Sequence, residues 1–197
     1  MPREAREITR ADIIPVAQYA TERAERRRAL LPVKKLRRVS VGPYATFYFE
    51  NYDTMWLQVH EMLYIEKGGE AQIADELSAY NPLIPQKGEV VATLMFEIED
   101  ERQRDRVLRQ LTNIEESAFL DVAGERIKAS FETEVERTTE DGKTSSVHFL
   151  RFNLAPTQVA RFKDAATPVM LGFTHANYGH LAVITPDTRA ELVKDLG

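Results

Sequence analysis

The stretch Glu50-Asn51-Tyr52-Asp53-Thr54-Met55-Trp56 gathers two carboxylates, an amide and the single Trp of the chain directly behind the aromatic run Phe47-Tyr48-Phe49. It reads as the end of a strand entering a helix, a place where rigid elements on both sides fix the geometry of displayed groups. Glu50 and Asp53 can accept hydrogen bonds or ligate a cation. Tyr52 and Trp56 can supply an apolar wall. Convergent polar groups in an aromatic wall are the pattern of a small-molecule pocket, so Glu50, Tyr52, Asp53 and Trp56 are the expected ligand-binding residues. Helix capping by Asn51 or Asp53 accounts for part of this polarity, but not for Glu50 at the end of an aromatic strand.

Histidine offers a second chemistry. The four are His60, His148, His175 and His180. His60 falls mid-helix beside Glu61, with Trp56 and Tyr64 one turn away on either side, and His175 and His180 flank a hairpin turn. Brought together with Glu50 and Asp53, they would give an imidazole–carboxylate set suited to iron, manganese or zinc. A divalent-metal site built on His60, His175 and His180 is therefore an expectation. The plainer alternative is packing: His60 stacked on Trp56, and His175 and His180 as turn residues. Their spacing matches no metal motif.

Other chemistries are excluded. The chain has no Cys, so it holds no disulfide, thiolate zinc site, cysteine-ligated cluster or Cys nucleophile. It has no Gly-x-Ser-x-Gly and no Gly-x-Gly-x-x-Gly. Gly142-Lys143-Thr144 lacks the earlier glycine and the strand–helix setting of a phosphate-binding loop, and Asp141-Gly142 is ordinary hairpin chemistry.

The elements that must position these groups follow from periodicity. Residues 9–31 read as a helix with Asp12 as N-cap, Pro15 in its first turn and Pro32 as its stop. Strand signals cover 39–41 and 44–49, broken by Gly42-Pro43. Met55, Trp56, Val59, Met62 and Leu63 mark one face of a helix ending near Glu66. A second helix, 70–80, completes a helical hairpin. A strand at 90–99 precedes a helix capped by Asp100 with Gln103 three residues on. Strands follow at 118–122, 127–137 and 145–154, then a short helix at 156–162. A hairpin of 169–173 with 180–184 and a closing helix at 187–196 end the chain. Consecutive hairpins in the second half predict an α+β fold with a mainly antiparallel sheet and flanking helices.

At 197 residues with 43% apolar content, the chain is long enough to bury a sizeable core as one unit. No apolar run approaches the roughly 20 residues that cross a bilayer. The first residues carry no apolar leader, so a cytoplasmic location is the expectation. The net charge of -5 is unevenly spread: residues 1–40 hold eleven Lys/Arg against five acids, and residues 50–140 hold nine against twenty-one. Residues 1–38 thus read as a basic helical arm preceding an α+β unit, 39–197. The arm offers a surface for nucleic acid or an acidic partner, but docking on the chain's own acidic body explains it better, because no aromatic residue interleaves the basic run.

Several strings resemble a known bacterial family. They are Ile8-Thr9-Arg10-Ala11-Asp12-Ile13, Val41-Gly42-Pro43, residues 45–56, Asn81-Pro82-Leu83, residues 91–98, residues 141–148 and His175-Ala176-Asn177-Tyr178-Gly179-His180. Together they are similar to the domain-of-unknown-function family 3501 over nearly the whole chain, with Phe49-Glu50-Asn51-Tyr52-Asp53-Thr54-Met55-Trp56 the most specific. The family has no assigned activity. The resemblance implies a genomic neighbourhood of rubrerythrin-like and iron–sulphur oxidoreductase genes, hence an accessory role in redox or oxidative-stress metabolism with such a protein as partner. Three readings stand open: an accessory or binding protein, a metal-dependent enzyme using the His/Glu set, and a nucleic-acid-associated protein acting through the basic arm.

Overall fold

The structure is a computed structural model and describes residues 6–131 and 137–197. Its helices are α1 (Val16–Leu36), α2 (Tyr52–Glu66), α3 (Glu70–Tyr80), α4 (Glu101–Gln110), α5 (Pro156–Lys163) and α6 (Pro186–Leu192). Its strands are β1 (Arg38–Val41), β2 (Ala45–Glu50), β3 (Glu89–Phe96), β4 (Ala118–Val122), β5 (Glu125–Lys128), β6 (Ser130–Phe131), β7 (Val147–Asn153), β8 (Val169–Phe173) and β9 (Leu181–Val183). All strand pairs are antiparallel, and the fold is α+β. The strands form two sheets, ordered β1-β2-β3-β7-β6 and β5-β4-β8-β9.

Strand parity explains how the sheets are used. Successive side chains point to opposite faces. Phe47 and Phe49 of β2, Ala92 and Leu94 of β3, and Leu150 and Phe152 of β7 join one apolar cluster with Leu120 of β4 and Leu171 of β8. Phe47 meets Phe173 across the two sheets at 5.3 Å between ring centroids. The opposite parity of the first sheet presents Tyr48, Glu50, Thr93, Met95, Val147 and Phe149 to its other side. There α2 and the 3-10 turn Asn81–Leu83 build a second cluster through Met55, Val59, Leu63, Leu83 and Val91.

Two sequence expectations shift. The first helix begins at Val16, after a 3-10 turn at Arg10–Asp12, and Pro32 lies inside it rather than ending it. Proline removes one intrahelical bond, but interactions at both ends of α1 hold the helix through it. Near its start, Tyr19 donates to Glu61 of α2 at 2.6 Å and Arg23 pairs with the same carboxylate at 2.8 Å. Just past its end, Arg37 is locked into the molecule. The strand expected at 127–137 is represented by β5 and β6; residues 132–136 of that expectation lie outside the described residues. No helix among the described residues is long and apolar enough to cross a membrane.

Candidate ligand-binding site

A cavity of about 490 Å³ lies between the outer face of the first sheet and the α2–α3 layer. That volume falls within the roughly 300–1,000 Å³ of small-molecule sites. Its walls are mostly apolar: Met55, Leu83, Met95, Val147 and Phe149, with Tyr48 and Tyr80. Lys34, exposed on the last turn of α1, and Gln58 of α2 complete the lining used below.

Glu50 is the single acid among the described lining residues, and it is 8% exposed. Two hydroxyls hold its carboxylate. Thr93 Oγ1 donates to Oε1 at 2.8 Å, and Thr54 Oγ1 donates to Oε2 at 2.7 Å. Local structure sets both contacts. Glu50 pairs with Val91 in the β2–β3 register, so Thr93 is its diagonal neighbour on the same face. Thr54 is placed by the cap of α2: Asn51 Oδ1 accepts from Thr54 N and Thr54 Oγ1 accepts from Asn51 N, each at 2.9 Å. No ion pair reaches the Glu50 carboxylate among the described residues.

Behind Glu50 lies a buried ionic knot. Arg37, 1% exposed, donates to the carbonyls of Phe49 and Glu50 at 2.9 Å each. It also pairs with Glu191 of α6 at 3.3 Å and with Asp195. Burial holds the Asp195 carboxyl above its ordinary range even beside this guanidinium. The knot fixes the end of β2, and therefore the backbone that carries Glu50, against the C-terminal helix.

The other expected residues disperse. Asn51, Tyr52 and exposed Asp53 line a separate, smaller cavity of about 250 Å³, where Arg6, Glu191, Lys194 and Asp195 are already engaged with protein atoms. Trp56 faces α1: its Nε1 donates to Asp12 O at 2.9 Å and Arg26 lies over its ring at 4.7 Å. His60 stacks on Trp56 with centroids 3.7 Å apart. His60 Nδ1 donates to Trp56 O at 2.7 Å, and Nε2 accepts from Ile14 N at 3.2 Å, so both ring nitrogens are engaged. Burial lowers its pKa and keeps the ring neutral.

His175 is similarly placed, with Nε2 donating to Thr112 O at 3.1 Å and Nδ1 accepting from Asn177 N at 3.2 Å. His180 packs edge-on against Tyr178 at 4.5 Å. Tyr178 pins this turn onto the β1–β2 hairpin: its hydroxyl accepts from Tyr44 N and Ala45 N at 2.9 Å each and donates to Val41 O at 2.8 Å. Gly42 there has φ +69°, and a Cβ would stand 2.6 Å from the His180 ring. Ala45 begins β2 and Glu50 ends it, so the His175–His180 turn lies at the far end of that strand from Glu50. Five strand steps put the two ends roughly 17 Å apart. His60 is eight residues beyond Tyr52, roughly 12 Å along α2. The structure does not bring Glu50, His60, His175 and His180 to one point, and the described residues contain no group of three or more metal-ligating side chains.

The basic stretch is largely engaged with the chain itself. Arg23 and Arg27 reach Glu61, Arg26 pairs with Glu22, and Arg38 pairs with Glu97. Two groups escaped the sequence reading. Thr93 could have been found from the parity of its strand and the register to β2. Arg37 could not, because nothing in a basic run marks which member is buried.

An α+β protein with antiparallel sheets, an apolar cavity and one buried carboxylate in its wall is the class defined so far. Its sequence matches the family described as Protein of unknown function (DUF3501) over residues 7–196, and the chain belongs to that family. It is also similar to a solved crystal structure of a protein of unknown function from Burkholderia pseudomallei K96243. The two are 39% identical, the match covers 96% of this chain and 99% of that one, and the TM-score is 0.88. Among curated proteins none matches this chain.

Proposed function

We propose that this protein is a binding protein for a small organic molecule, held in the cavity between the first sheet and the α2–α3 layer. The observation that carries the reading is the Glu50 carboxylate: desolvated, oriented by two threonine hydroxyls, and set in an otherwise apolar wall. A carboxylate placed so is costly unless its remaining acceptor positions are used. Packing alone would favour an apolar residue there. The accessory role expected from sequence fits a binding protein of this kind, with Glu50 as the polar anchor and Met55, Leu83 and Phe149 as the wall.

A fragment screen by protein-observed NMR tests the proposal, comparing the parent with Val147→Trp, which fills the cavity from its half-buried side. Fragments that shift Glu50, Thr93 and Phe149 resonances in the parent and not in a folded Val147→Trp support it. Fragments that bind both proteins alike, or a screen without hits at these resonances, overturn it.

A further inference from the structure

We infer that the ligand carries a single positive charge on an N–H-bearing head, as a primary amine or amidine does, attached to an apolar body. This inference rests on the cavity reading above and adds the chemical class of the occupant.

The inference follows from the hydrogen-bonding inventory of the cavity. An ionised carboxylate offers about four acceptor positions, of which Thr54 and Thr93 fill two. Both hydroxyls are placed to donate to Glu50; Thr54 Oγ1 lies closer to Glu50 Oε2 than to Asn51 O at 3.1 Å, and it also accepts from Asn51 N. The two hydroxyls at Glu50 therefore leave it no further donor, and exposed Lys34 is a separate group on the lining. Beside Glu50 a ligand carboxylate or phosphate is repelled, and an N–H head finds a charge-assisted partner.

The neighbouring cations, Arg37 and Lys34, form no ion pair with Glu50 among the described residues. Arg37 is held by the carbonyls of Phe49 and Glu50 and by Glu191 and Asp195. Gln58 Nε2 faces the Tyr80 hydroxyl at 3.4 Å. The apolar remainder, Met55, Leu83, Met95, Val147 and Phe149, suits an aliphatic or aromatic body. Arg37 is offset by Glu191 and Asp195, so Glu50 is the one acid that meets a ligand, and any further positive charge would face apolar walls and exposed Lys34. A polyamine is thus the wrong cation, and a monoamine the right one.

The test uses three probes of matched shape, phenethylamine, 2-phenylethanol and 3-phenylpropanoate, with spermidine as a fourth. Each is titrated into the full chain by calorimetry at pH 7. The amine is expected to bind about ten-fold or more tightly than the alcohol, with the propanoate and spermidine weaker still. Glu50→Gln is expected to bring the amine down to the level of the alcohol while leaving the alcohol unchanged. Should Glu50→Gln fail to fold, Thr93→Val provides the second variant: it removes a competing donor, so amine binding is expected to hold or tighten.

Equal or tighter binding of the alcohol or the propanoate, abolished by Val147→Trp, would overturn the cationic class and leave the cavity reading standing. No binding of the amine, or amine binding indifferent to both Glu50→Gln and Val147→Trp, would overturn the inference. The cavity reading itself then stands or falls on the fragment screen.

Discussion

His148 should make this protein lose stability in mild acid, by an amount the structure allows to be worked out. It lies on the inner face of β7, 1% exposed, with the Phe96 ring edge-on at 6.2 Å. Its Nε2 donates to Ser145 O at 2.9 Å. Its Nδ1 faces Glu115 Oε2 at 3.5 Å, and these two atoms are the buried side-chain polar atoms without a hydrogen-bond partner among the described residues. The separation is that of an ion pair, but the imidazole carries no charge at neutral pH. Burial drives the His148 pKa down to about 4, helped by the charge of Arg137, and burial pushes the Glu115 carboxyl up, helped by Glu116 and opposed by Arg137. The contact is a neutral imidazole beside a carboxyl displaced toward its protonated form.

The sign for His148 follows from proton linkage. From its unfolded pKa of 6.5 down to about 4, the unfolded chain binds a proton that the folded chain refuses. The stabilisation is complete above pH 6.5 and is lost as pH falls through this window. The shift corresponds to roughly 3 kcal/mol between pH 7 and pH 4 at about 1.4 kcal/mol per pKa unit. Urea unfolding at pH 7, 6, 5 and 4 measures it. His148→Gln keeps a donor for Ser145 O and removes the titration, so the difference between parent and variant should shrink by about 3 kcal/mol across that range. Parallel pH curves for the two proteins, or an NMR titration of His148 near 6.5, would refute the reasoning.

Glu115 slopes the other way. Its raised folded pKa gives stability present below about 4.5 and lost as pH rises through the folded value, so Glu115→Gln should match or exceed the parent in urea melts at pH 7. Arg37→Leu should cost about 3–5 kcal/mol because it strands Asp195 as a buried acid and leaves Glu191 with Lys194 alone, and Arg37→Lys should not restore the loss, since an ammonium cannot reproduce the fork to two carbonyls and two carboxylates; chemical denaturation reads both. Tyr178→Phe removes the partner of Val41 O, Tyr44 N and Ala45 N and should cost about 2–4 kcal/mol, with faster amide exchange at Tyr44 and Ala45 as its local signature.

The fold was legible where one physical signal dominated. The strand signals at 90–99 and 145–154 located β3 and β7, because a two-residue period survives whatever the strand packs against. Local capping chemistry announced the starts of α2, at Asn51 or Asp53, and of α4, at Asp100; the caps are Asn51 and Asp100, and both accept a backbone N–H. The end of α1 was illegible for the opposite reason. Proline is a local breaking signal, and at Pro32 it is overruled by contacts with partners from Phe49 to Asp195, which no window of sequence contains.

The same distinction separates Glu50 from the other expected site residues. Tyr52, Asp53, Trp56 and His60 lie within ten residues of Glu50 in sequence, yet a helix turns through about 100° per residue and sends neighbours to different surroundings. Met55 and Gln58 go with Thr54 to the cavity. Trp56 and His60 go to the segment that leads into α1, where Asp12 and Ile14 meet their polar atoms. Glu50 alone belongs to the strand, so its direction is set by sheet parity rather than helical phase. Parity places it beside Thr93, and the helix cap brings Thr54 back over it. A carboxylate held by one donor from each layer marks where the sheet and the helices meet around a space that neither fills, and there a ligand with an N–H head has a partner.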